Sequence, residues 1–154
     1  MKKFSRQDQR LLAVWAADCA KRVLPLFEKS YPKDNRPRMA ISECRKWVRT
    51  GIFSMAVIRK TSLSAHAAAR KAKYNSAACF AARAAGQAVA TAHAAGHAFG
   101  PAYYSLKIAA LDGPAKFAKE LKWQTSHLPK KLRKDWQDWQ LNRMPKNLSR
   151  YIFK

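Results

Sequence analysis

Carboxylates are scarce in this chain. Nine Asp and Glu stand against 31 Lys and Arg in 154 residues, a formal charge of +22. Such an imbalance excludes a self-neutralising surface and implies an anionic counterpart: nucleic acid, an acidic protein or an anionic membrane. Cysteine is equally sparse. Cys19, Cys44 and Cys79 are widely spaced, odd in number and form no CxxC pair, which excludes a disulfide scaffold and points to a reducing compartment. No apolar run approaches the roughly 20 residues that span a bilayer. Lys2, Lys3, Arg6 and Arg10 ahead of Leu11–Ala17 have the faint look of a signal peptide. Asp18 and then Lys21-Arg22 cut that run short, so a first amphipathic helix and a cytoplasmic location are expected. No segment alternates apolar and polar residues in the manner of a strand. Gly-rich phosphate loops, GxSxG and HExxH are missing too, Ala94 standing after His93, so no enzyme is expected.

What is abundant is alanine. Ser64–Gly100 is built almost wholly of it, with Gly86, Gly96, Arg70, Arg83, His66, His93 and His97 among the few interruptions. Alanine loses no side-chain freedom in a helix and heads the propensity scale. On a helical wheel Ala78, Ala81, Ala85, Ala88, Val89, Ala92 and Gly96 share one side, a face small enough to let a neighbouring helix come close. The reading is a central helix over Ser76–Ala98 in an all-α, compact multi-helix bundle. With 48% apolar residues, a single helical domain over 1–154 is expected, about 116–154 being a basic aromatic extension packed on the bundle.

The remaining helices follow from caps and periodicity. Ser5 is a good N-cap, with Asp8 completing an acidic capping box, and Leu11, Leu12, Trp15, Cys19, Val23 and Leu26-Phe27 recur at helical spacing. Pro25 falls inside that pattern and is expected to kink the helix or shift its end. Asp34 or Asn35 can cap a second helix ending at Gly51. Ser54 can cap a third, with Met55, Ile58 and Leu63 apolar and Arg59, Ser62, His66 and Arg70 along a polar stripe. Gly100-Pro101 opens another helix, Asp112-Gly113-Pro114 is a turn, and helical segments to about Thr125 and over Lys130–Arg143 complete the chain.

Three constellations could carry chemistry. His93 and His97, four apart, would lie on one helical face, with His66, Cys79 or Asp18 as further metal ligands. A bare HxxxH is short of ligands, so no metal and no cofactor is expected, and the histidines are read as hydrogen-bonded within the bundle. Asp18 sits beside the apolar stripe of its helix, where a carboxylate is costly unless paired. Arg70 or Arg83 are its natural partners, giving a candidate buried polar network of Asp18, His66, Arg70, Arg83, Gln87 and His93. The third constellation is the C-terminal region, where eleven Lys and Arg from Lys116 onward are interleaved with Trp123, Trp136, Trp139, Tyr151 and Phe153. Lys130, Lys131, Arg133, Lys134, Trp136, Trp139 and Arg143 are the candidates for holding an anionic partner, phosphates on the cations and bases on the rings. A basic helix of this kind could equally lie on a membrane surface. The structural reading docks Leu132, Trp136 and Trp139 on the bundle, whose small residues need large ones to cover them, and it is preferred.

Several ordered stretches together resemble a known family: Val14–Ala20 with Val23–Glu28, Arg36-Pro37-Arg38 leading to Trp47-Val48 and Gly51, Ala65–Arg70, Ala82–His93, and Trp123-Gln124 with His127-Leu128-Pro129. Over about residues 10 to 130 the chain is similar to the immunity proteins associated with bacterial polymorphic toxin systems. The resemblance implies a small helical cytoplasmic protein that binds and neutralises a cognate toxin domain without catalysis of its own. Trp15, Asp18, Cys19, Pro25, Arg36, Pro37, Arg38, Trp47, His66, Arg70, Arg83, Gln87, His93 and His127 match the family pattern. A charge of +22 is unlike an inhibitor of a basic nuclease, so the expected contact is an acidic surface of the toxin. The alternative expectation is a nucleic-acid-binding protein acting through its Lys/Arg/Trp-rich C-terminal region.

Overall fold

Side-chain caps fix where several of the helices begin. In the computed structural model, which describes residues 2–153, Ser5 Oγ accepts from the Asp8 N–H at 3.0 Å and opens α1 (Arg6–Ser30). The termini of the expected 1–154 span, Met1 and Lys154, lie outside the described residues. Helix α2 (Arg36–Thr50) starts after Asn35 with Pro37 in its first turn, where a missing N–H costs no helical bond. It stops at Gly51, whose φ of +69° is a left-handed conformation that glycine adopts without steric penalty. Ser54 accepts from the Val57 N–H at the head of α3 (Met55–Lys71), and Asn75 Oδ1 accepts from the Ala78 N–H at the head of α4 (Ser76–Ala90). A short 3-10 turn over Ala95–Ala98 leads into α5 (Phe99–Ala110), and Gly113-Pro114 opens α6 (Pro114–His127). A second short turn, Lys130–Leu132, precedes α7 (Arg133–Arg143) and the one-turn α8 (Lys146–Ser149). The described residues hold eight helices and no strand, an all-α bundle as expected.

Helix α4 is the axis of this bundle, packed against α1, α2, α3 and α5. Its burial is broader than one small face. Ala82, Ala84 and Gly86 are buried together with Ala78, Ala81, Ala85, Ala88 and Val89. The expected extension of this helix to Ala98 is corrected: α4 ends at Ala90, and Gly96 is exposed. The cause lies in α1. The Gln9 side-chain amide donates to the carbonyls of Thr91 (2.8 Å) and Ala92 (3.2 Å), which a continuing helix would have offered to residues 95 and 96.

Pro25 neither ends α1 nor shifts its terminus. The helix continues to Ser30 with Pro25 on its exposed side, where water can serve the Lys21 carbonyl that has lost its donor. The large side chains come from outside the alanine helix. Trp15, fully buried, donates from Nε1 to the Gln124 carbonyl at 2.9 Å and so ties α1 to α6. The Trp136 ring stacks parallel on Phe99 (centroids 5.9 Å) and meets Trp15 edge-on (5.5 Å), which are favourable aromatic geometries. These three rings anchor α7 to α1 and α5.

Candidate functional site

The interface of α3 with α4 carries a polar cluster made possible by one absent side chain. Gly86 faces His66 so closely that a Cβ there would come within 2.7 Å of Nε2, and the imidazole lies flat against the α4 backbone. Ser62 Oγ, one turn earlier on α3, donates to the Gly86 carbonyl at 3.0 Å. The expected polar stripe of α3 is therefore partly a packing face, since Ser62 and His66 are half-buried while the apolar positions Met55 and Leu63 are exposed.

One hydrogen bond defines the protonation of His66. The Arg83 guanidinium sits 2.9 Å from His66 Nδ1 and can only donate, so Nδ1 accepts and the ring is neutral with its proton on Nε2. Burial, followed by the nearby charges of Arg83 and Arg70, lowers the His66 pKa to about 4. Gln87 Oε1 accepts from His97 Nδ1 at 2.8 Å, and burial together with the charge of His93 lowers the His97 pKa.

Of the six residues read as one buried network, the structure brings together His66 and Arg83, and it binds Gln87 to His97, which that reading had placed with the metal candidates. Asp18 is elsewhere. Its expected pairing with Arg70 or Arg83 is corrected to Arg45 of α2, at 2.9 Å, with the Asp18 side chain 44% exposed to solvent. The reason is topological: the Asp18 side of α1 looks onto α2 rather than onto the alanine helices. Arg70 is exposed in the last turn of α3, and His93 is exposed in the turn after α4. Because that turn is not helical, the i, i+4 register that would aim His93 and His97 at one ion does not exist. Among the described residues, no three His, Cys, Asp or Glu side chains gather as a metal-binding group.

Beside this cluster runs an open groove of about 450 Å³. Ile58 forms its buried floor, Met55, Leu63 and Ala90 add apolar walls, and Arg59, Ser62, His93 and His97 supply polar edges. Its electrostatic setting is unusual. No carboxylate occurs between Glu43 and Asp112 in the sequence, a span that includes all of α3 and α4. Seven ion pairs hold Asp8, Asp18, Glu28, Asp34, Glu120, Asp135 and Asp138. Among the described residues, Arg59, Lys60 and Arg70 of α3 take part in none of them.

The C-terminal candidates are scattered by the docking of α7. Trp136 is fully buried and offers no free face for a base, and Trp139 is half-buried against Tyr103 (5.5 Å between centroids). Lys131 Nζ lies 2.7 Å from Asp8 Oδ1 and Lys134 Nζ lies 3.1 Å from Asp138 Oδ2. Arg133 donates to the carbonyls of Leu128 and Ser126, closing the α6–α7 turn. Lys130 and Arg143 alone of the set are exposed and outside these contacts. The expected use of Trp136 as a stacking platform is thus corrected.

Sequence reasoning missed the partnership of Ser62, Gly86 and His97 with this site. The signal available was Gly86 itself, since a glycine inside a strong helix marks a place where something approaches the backbone.

No curated protein and no solved structure matches the chain. The family model described as Imm-5 like putative immunity protein does match, over residues 2–131, which takes in α1 to α6 and the groove, and the chain belongs to that family.

Proposed function

We propose that this protein is a non-catalytic immunity protein that binds a cognate toxin domain and neutralises it by occupying an acidic surface of that domain. The supporting observation is the way its charge is arranged. Most of its few carboxylates are already held in intramolecular ion pairs, so the cations left over are available to an outside anion. Oppositely charged faces steer association and discriminate against wrong partners. Family membership supports a toxin domain, rather than any other acidic protein, as the source of that anion.

The test is co-expression with pull-down. Cells producing the toxin domain together with this protein are expected to grow, and the two proteins should co-purify after nuclease treatment and at raised salt. Recovery of nucleic acid alone, lost as salt rises, would overturn the proposal, because phosphate binding falls steeply with salt whereas a packed protein interface persists.

A further inference from the structure

The strongest unused feature is the outer side of α3 with the loop before it. Ile52 is 76% exposed and Leu63 56% exposed, and Phe53 and Met55 are also exposed. Contiguous apolar side chains open to water mark interaction surfaces more often than accident. Of these, Met55 and Leu63 line the groove floored by Ile58, and the polar edge of that groove carries Arg59, His93 and His97 with no acidic side chain. The shape asks for an apolar side chain. The edge rewards a carboxylate and repels a cation.

We infer that this groove is the docking site for the toxin domain, and that it takes a segment presenting an apolar side chain flanked by Asp or Glu. The inference rests on the immunity reading for the identity of the partner, and adds the surface and the chemistry of what fills it. The apolar anchor lies over Ile58 between Met55 and Leu63, and a flanking carboxylate reaches the Arg59 guanidinium, which is exposed and outside every ion pair among the described residues. Burial of the anchor excludes water from that charge-assisted contact and strengthens it. Nucleic acid fits less well, because an apolar floor gives nothing to a phosphodiester. The neutral state of His66 and the lowered pKa of His97 keep the neighbouring cluster from adding charge that an incoming apolar group would have to desolvate.

The probe is the toxin domain recovered in the co-purification above. Leu63→Ser and Arg59→Glu alter exposed side chains, and each is expected to weaken its binding at least tenfold. Leu141→Ser and Lys122→Glu, exposed changes on α7 and α6, are expected to alter it less than threefold. Amide exchange in the complex should slow over residues 55–66, a readout independent of any variant. Parent-like binding by Leu63→Ser and Arg59→Glu, with exchange unchanged over 55–66, would overturn this assignment and leave the immunity reading standing. Recovery of nucleic acid without a protein partner would overturn both.

Discussion

Replacing Gly86 by alanine sets two well-measured effects against each other. Within a helix, alanine is better than glycine by about 1 kcal/mol, so propensity alone makes Gly86→Ala stabilising. The structure gives the opposite sign. The added methyl would stand 2.7 Å from His66 Nε2 and 2.9 Å from Cδ2 and Cε1, all atoms of one flat ring, so no small torsion clears it. Forcing a methyl into a packed interface costs about 1–3 kcal/mol, and a displaced ring also gives up its bond from Arg83, worth about 1 kcal/mol. The expected net effect is a loss of about 1–3 kcal/mol, lowering Tm by about 2–12 °C in a chain of this size. The decisive assay is a double-mutant cycle by urea denaturation. With His66→Ala the obstruction is gone, and Gly86→Ala should then stabilise by about 1 kcal/mol, a reversal of sign between backgrounds. A stabilising Gly86→Ala in the parent, or the same effect in both backgrounds, would refute the close approach of α3 to α4.

Other outcomes follow from the same geometry. The folded His66 pKa of about 4 lies below the ordinary 6.5, so the unfolded chain binds this proton first; stability from this source is complete above pH 6.5 and is lost as pH falls toward 4. Discounted for partial exposure, the loss is about 1 kcal/mol between pH 6.5 and 5, measured by urea midpoints, and His66→Gln should remove it. Trp136→Ala deletes the ring between Trp15 and Phe99 and should cost about 3–5 kcal/mol, with trypsin cutting the native protein after residue 130; unchanged resistance would show that α7 is held by other contacts. Burial raises the Cys44 thiol to about 12 and Cys19 well above its usual value, so a small thiol reagent at pH 8 should label only the half-buried Cys79 until denaturant is added.

Local chemistry made the helices legible. Ser5, Ser54, Gly51 and Pro114 act through their own backbone neighbourhood, and a cap or a left-handed residue reads the same in a sequence as in a fold. The end of α4 was not legible, because alanine propensity is the same on both sides of Ala90 and the stop is delivered by Gln9 from another helix. Asp18 illustrates the same limit in the site: that it needed a cation was readable from its apolar neighbours, whereas the choice of Arg45 depends on which helix lies alongside. The apolar groove was hidden by periodicity itself. Met55 and Leu63 have the spacing of core residues, and only the packing of Ser62 and His66 on Gly86 turns that side of α3 outward.

Every buried position of helix α4 is alanine, glycine or valine, so none of them can grow without pushing a neighbour away. Sequence change is thereby confined to the outside of the surrounding helices, where it leaves the scaffold unmoved. Two proteins sharing this inner rod can present unrelated exteriors on an identical frame.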